Sequence, residues 1–105
     1  ALLKHFLNSV LRRENMRVKI FGKEGCAKCQ TTKNKFNHFL SKWDLADKIE
    51  LSFFDMATAD GMAEGAYMDV QDIPATILEK DGQTLARWDG EVPKSKEVKE
   101  YLDGV

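Results

Sequence analysis

The sequence predicts an α/β domain built on one mixed four-stranded sheet flanked by helices, with an additional helix at its N-terminal end. Three observations carry that prediction. Apolar residues alternate between strand-type and helix-type spacing, giving the order α-β-α-β-α-β-β-α. An Asp81-Gly82 pair separates the last two strand-like runs and makes them an antiparallel hairpin. Two cysteines, Cys26 and Cys29, fall where the first strand ends and a helix begins.

Taken in order, Leu2, Leu3, Phe6, Leu7, Val10 and Leu11 share one stripe of an amphipathic helix, which Arg12–Asn15 close with a polar break. This extension, residues 1–15, is expected to pack on the sheet as an accessory helix. That placement is favoured over a dimer contact or a basic membrane anchor using Lys4, Arg12 and Arg13. Met16 is a natural start for the sheet domain, residues 16–105. Arg17–Gly22 reads as the first strand. Gly25 interrupts the chain, and a helix runs from about Cys26 to Trp43 with Phe36, Phe39, Leu40 and Trp43 on its apolar face. Ile49–Phe54 is the second strand. Ala59–Met68 is a weak helix, because Gly61 and Gly65 both reduce helical stability. Ala75–Glu79 and Gln83–Trp88 form the hairpin. Pro93 precedes a last helix over Lys94–Leu102, with Val98, Tyr101 and Leu102 facing inward. The first β-α-β unit requires a right-handed crossover between parallel strands.

A length of 105 residues suits a single domain core. A net charge of −1 supplies no long-range pull towards nucleic acid or an anionic membrane, so neither is expected as a partner. No apolar run approaches the ~20 residues of a membrane span. Lys4, His5, Asn8 and Ser9 break up the stretch that a secretory leader would need, so a cytoplasmic location is expected. In a reducing compartment a close cysteine pair means redox chemistry or metal more often than a structural staple.

The segment Gly22-Lys-Glu-Gly-Cys26-Ala-Lys-Cys29 places the first cysteine at a helix start, where unpaired N–H groups and the positive end of the macrodipole stabilise a thiolate. Lys23 and Lys28 add positive charge and Glu24 opposes it. Cys29 lies one turn on, at a spacing of ~5–6 Å between Cβ atoms, which a small adjustment brings to disulfide distance. Cys26 can then attack a substrate disulfide and Cys29 can resolve the mixed disulfide. Two other readings stand beside this one. The cysteines can be small buried apolar residues, or they can bind metal. Structural zinc needs four ligands, and only the distant His5 and His38 remain, so a metal site needs a second chain or an outside ligand. No metal and no cofactor are expected.

Elsewhere, Phe36, Phe39, Phe53, Phe54 and Ile77 read as core, and His38 as a solvated surface residue. Trp88 is expected to pack on the hairpin rather than flank a partner groove. Met56, Met62 and Met68 are expected to fill gaps around the weak helix rather than form a contact surface. Pro74 opens a strand, and only ~5–6% of X–Pro bonds are cis, so the residues alone predict a trans Ile73–Pro74 bond.

Val18–Cys29 resembles the first strand and active-site loop of the glutaredoxin family, with Lys23 where that family often carries a basic residue used for glutathione. Ile73–Leu102, with its proline, Asp-Gly hairpin and Gly90, resembles the thioredoxin family. The resemblance covers about residues 17–103 and implies a thioredoxin-like fold. It implies that Cys26 is the nucleophile and Cys29 the resolving thiol. It also implies that Pro74 is cis against the disulfide, that Ile73 offers its backbone to the partner, and that Lys23 contributes to substrate binding. The chain departs from these families at several positions. Gly25 replaces a tryptophan, Ala27 and Lys28 fill the middle of the motif, and Ile20 stands where thioredoxins keep a buried acid. Gly90 is a single glycine where glutaredoxins carry two. Gly25 and Lys28 are therefore expected to modulate the pair, at a potential of ~ −200 to −280 mV.

The function expected from the sequence is that of a thiol–disulfide oxidoreductase, a dithiol carrier reducing protein disulfides. Its partners would be a disulfide-bearing protein and, as electron source, a reductase or glutathione. A monomer is expected over a dimer. The alternatives are a metal-handling CxxC protein and a redox-sensing interaction module without turnover.

Overall fold

The structure of the protein is a computed structural model that describes residues 16–103. The helix expected over residues 1–15 lies outside them. The elements are β1 (Met16–Gly22), α1 (Ala27–Lys42), β2 (Ile49–Asp55), α2 (Ala59–Tyr67), β3 (Ala75–Lys80), β4 (Gln83–Asp89) and α3 (Ser95–Leu102). Every element expected between residues 16 and 103 is present. The strand order is β2-β1-β3-β4. β1 runs parallel to β2 and antiparallel to β3, and β3 and β4 form the hairpin, so the sheet is mixed. Asp81 and Gly82 turn the hairpin with φ of 53° and 81°, the positive values that a two-residue hairpin loop needs.

The alternation along β1 divides the core in two. Met16, Val18 and Ile20 join Phe36, Phe39 and Leu40 of α1, Val98 and Leu102 of α3, and Leu78 and Trp88 of the hairpin in the larger cluster. Each such side chain contributes ~1.5–3 kcal/mol on burial. Phe21, Ala75 and Ile77 form a smaller cluster on the other face, with Phe54, Met56, Met68 and Val70 packed against it. Trp88 is buried, as expected, and its indole N–H donates to Glu97 Oε2 at 2.8 Å. His38 is exposed.

The glycines that weaken α2 have a packing role. Thr58 caps the helix by accepting the Gly61 N–H at 3.0 Å. A Cβ on Gly61 would run into the Asp55 carbonyl, and one on Gly65 would sit 2.6 Å from the Met56 methyl. Small residues let α2 start directly against the end of β2.

Three expectations about the core are corrected. Phe53 is 41% exposed, because β2 is an edge strand, whereas Phe54 on the other face packs on the core with its ring stacked on Phe21 at 4.9 Å. Tyr101 is 44% exposed while Val98 and Leu102 are buried. It sits on the flank of α3, with its ring edge-on to Trp88 at 6.0 Å. Met62 is exposed, although Met56 and Met68 fill space beside Phe21 as expected. A further buried group was not anticipated. Lys19 projects to the Phe21 face, and its Nζ pairs with Glu64 of α2 at 3.0 Å and Glu79 of β3 at 3.3 Å. Burial lowers the pKa of this amine, but the bonds to Glu64 and Glu79 more than offset that and raise it. No helix among the described residues is long and apolar enough to cross a membrane.

Candidate active site

Strand directions bring four chain segments to one end of the sheet. Gly22 closes β1 opposite Asp55 at the end of β2, and Phe21 pairs with Ala75 at the start of β3, which pairs in turn with Asp89 at the end of β4. The loops that carry the cysteines and Ile73–Pro74 leave the sheet at this end.

The cysteine loop is built from short-range interactions. The Cys26 N–H donates to the Lys23 carbonyl at 3.4 Å, closing a four-residue turn. Gly25, its third residue, has φ of 82°, a value that a side chain opposes. Cys26 is the N-cap of α1, and its Sγ accepts the Cys29 N–H at 3.1 Å. The first turn of α1 carries no acidic residue, so nothing there neutralises the positive end of its dipole. Helix position and the donated N–H both favour a thiolate at Cys26 when the pair is reduced.

Cys26 and Cys29 are joined in a disulfide, with Cα atoms 5.2 Å apart. The two residues differ in exposure: Cys26 is half-buried and Cys29 is 7% exposed. Lys23 and Lys28 are both exposed near the loop. Ile20 is 2% exposed, so no carboxyl group occupies that buried strand position.

Ile73–Pro74 is cis. This differs from the trans bond that the residues alone predict and agrees with what the family resemblance implies. Pro74 is fully buried, and its carbonyl accepts the Gly90 N–H at 2.8 Å. Ile73 is half-buried.

Three contributors are not evident from the sequence. Gly22 looks like the mere end of a strand, yet a Cβ there would lie 2.8 Å from Cys29 Cβ and 2.9 Å from its Sγ. Cys29 can pack over the end of β1 only because residue 22 has no side chain. A glycine inside a strand pattern signals such a close approach. Phe53, expected in the core, instead lines a groove of about 300 Å³ that also includes Lys23, Cys29, Gln30, Lys33 and Asp55. Lys33 Nζ stands over the Phe53 ring at 4.8 Å, a cation–π contact that keeps the edge aromatic partly covered. Arg87 reaches from β4 to the segment leading to Pro74. No local sequence pattern marks either of these two contacts.

No protein-family model matches the chain, and no curated protein matches it. Solved structures do. Thioredoxin-2, a component of the malaria parasite protein secretion machinery, superposes with a TM-score of 0.72 at 19% identity, covering 87% of this chain and 84% of that one. Thioredoxin O2 from Arabidopsis thaliana, in its oxidised state, gives 0.71 at 19% identity, covering 94% and 88%. Mitochondrial thioredoxin 3 from Saccharomyces cerevisiae gives 0.68 at 14% identity, covering 98% and 90%. The chain has the thioredoxin-like fold.

Proposed function

We propose that the protein is a thiol–disulfide oxidoreductase that reduces disulfides in other proteins, with Cys26 as nucleophile and Cys29 as resolving thiol. The observation that carries this is the asymmetry of the pair. One cysteine caps a helix and is the more exposed residue, the other is buried one turn behind it, and they already form a disulfide. An inert structural pair has no need of a partly exposed cysteine at a helix N-terminus.

The Cys26 thiolate attacks one sulfur of the substrate disulfide, and the other leaves as a thiolate that takes a proton from water. The Cys29 thiol gives up its proton and attacks Cys26 Sγ. The Cys26–Cys29 bond forms, the bond to substrate breaks, and the second substrate sulfur leaves as a thiolate. Two electrons pass from the chain to the substrate. A dithiol reductase or two equivalents of glutathione return them. Under this reading Ile73 offers its backbone to an extended segment of the partner, Pro74 keeps that point free of an N–H, and Lys23 contributes charge beside the cysteine. Gly25 and Lys28 shape and charge the loop.

The metal-handling alternative finds less support. Among the described residues no group of three or more His, Cys, Asp or Glu side chains converges, so Cys26 and Cys29 would need ligands from elsewhere.

The reading is tested by incubating the oxidised protein with NADPH and thioredoxin reductase, and separately with NADPH, glutathione and glutathione reductase, while following NADPH loss. Insulin is present as substrate in both arms. Consumption that depends on the protein in either arm supports turnover, and the faster arm names the class of electron source. No protein-dependent consumption in either arm argues against an oxidoreductase.

A further inference from the structure

The proposed function leaves one strong cluster unused, and it lies on β4. The Arg87 guanidinium donates through Nη1 to the Met68 carbonyl at 2.6 Å and through Nη2 to the Asp69 carbonyl at 2.8 Å. Its Nε donates to both carboxylate oxygens of Asp89, at 2.9 and 3.1 Å. Met68 is the C-cap of α2, and Asp69 begins the segment that ends at Ile73–Pro74. The far end of the same segment is held by the Gly90 N–H on the Pro74 carbonyl. Arg87, braced by Asp89, and Gly90, all within one edge strand and its exit, thus fasten both ends of a loop distant in sequence.

Asp69 has φ of 55°, in the left-handed region that a non-glycine residue rarely adopts. Its carbonyl is held by Arg87, and its carboxylate accepts from Gln71 Nε2 at 2.8 Å. The helix end itself closes through the Asp69 N–H on the Ala66 carbonyl at 3.2 Å and the Val70 N–H on the Gly65 carbonyl at 2.8 Å, and the two Arg87 contacts fasten that turn to β4. A planar guanidinium can address two carbonyls and a carboxylate at once, which an ammonium group cannot match in geometry.

We propose that Arg87 is a positioning residue for partner binding: by clamping Met68 and Asp69 to β4 it presents the Ile73 backbone ready-formed to an extended protein substrate. The proposal rests on the reading of the chain as a protein-disulfide reductase. Arg87 itself touches neither cysteine in this account. A preformed segment lowers the ordering cost of binding and leaves the thiol chemistry alone. The effect belongs to substrates long enough to pair with Ile73.

The test compares two disulfides in single turnover. Reduced wild-type protein and Arg87→Met are mixed with increasing insulin or with bis-hydroxyethyl disulfide, quenched with iodoacetamide, and scored for the Cys26–Cys29 disulfide by mass spectrometry. For insulin the half-saturating concentration should rise by about tenfold in Arg87→Met, with the maximal rate within about twofold of wild type. The small disulfide, which has no backbone to pair, should react at the wild-type rate. Arg87→Lys should fall between, because its ammonium keeps the charge but cannot span both carbonyls and Asp89. It also serves where Arg87→Met folds poorly. Wild-type half-saturation for insulin in both variants overturns the proposal, and so does an equal loss on both disulfides. Amide hydrogen exchange over residues 69–73 supplies a readout independent of turnover. It should quicken in either variant, and unchanged exchange overturns the clamp. Wild-type protein that reduces neither disulfide would instead count against the oxidoreductase reading, while the exchange measurement still decides whether Arg87 holds the segment.

Discussion

The two loops that converge at the end of the sheet are held by different means. The cysteine loop, residues 23–29, makes its shape from itself: a turn from Lys23 to Cys26, a glycine with positive φ, and a cysteine that caps its own helix. The proline loop, residues 68–74, starts from a helix end closed by its own backbone and is then fastened from outside, by Arg87 at one end and Gly90 at the other. In the proposed reaction the first arrangement sets chemistry, because a helix start favours the thiolate at Cys26. In the proposed reaction the second sets recognition, because it fixes where the Ile73 backbone lies. Substitutions in the two loops should therefore separate bond-making from binding.

The sharpest separation comes from Cys26→Ser. Loss of the attacking sulfur should lower disulfide reduction by at least about a thousandfold with every substrate, large or small, as measured in the NADPH-coupled assay. Retained turnover in this variant would show that another group starts the reaction. A smaller effect separates the two cysteines. In the reduced protein at neutral pH, Cys26 should be alkylated by iodoacetamide about ten times faster than Cys29 or more, since it caps α1 and is the more exposed residue of the two. Equal rates would remove the distinction between nucleophile and resolving thiol.

Gly22→Ala tests the floor beneath the cysteine loop. The added methyl meets Cys29 Cβ at 2.8 Å and Sγ at 2.9 Å, and overpacking of this kind costs ~1–3 kcal/mol. Reduction frees Cys29 Sγ to turn away, so the oxidised form should lose more stability than the reduced form. Each 1.4 kcal/mol of that difference raises the reduction potential by about 30 mV. Redox titration against a glutathione buffer reads the shift, and an unchanged potential would mean that the end of β1 yields without cost.

The smallest effect lies away from both loops, at Lys19. Removing its amine leaves Glu64 and Glu79 facing each other without a counter-charge, and Lys19→Met should cost about 2 kcal/mol near neutral pH in urea unfolding. The folded-state pKa of Lys19 lies above its ordinary 10.5. Its contribution is therefore fully present below pH 10.5 and is lost as pH rises through the higher folded value. From neutral pH upward, the stability gap between wild type and Lys19→Met should hold until that alkaline window and shrink within it. The cysteine pair should be little affected, because Lys19 faces the α2 side of the sheet.

What the sequence revealed follows the same division between local and distant contacts. The strands, α1 and its start at Cys26, the Asp81-Gly82 turn and the burial of Trp88 depend on spacing within short windows, and these were legible. Phe53 was misassigned because an edge position is a property of strand order, and nothing within Ile49–Asp55 records it. Lys19 looked like an ordinary polar residue until α2 and β3 brought Glu64 and Glu79 to it. Arg87 and Met68 are nineteen residues apart, and no periodic pattern connects them. The cis bond at Ile73–Pro74 was reached only through the resemblance to thioredoxins, since the residues on their own favour trans.

The roles of the two cysteines are decided by trapping. Cys29→Ser, reduced and mixed with insulin, is quenched in acid and mapped by mass spectrometry. A persistent mixed disulfide between Cys26 and an insulin cysteine should be found, because no second thiol is present to resolve it. The parallel Cys26→Ser protein should trap nothing. A mixed disulfide that forms through Cys29 in Cys26→Ser, with none in Cys29→Ser, would contradict the assignment of the two cysteines.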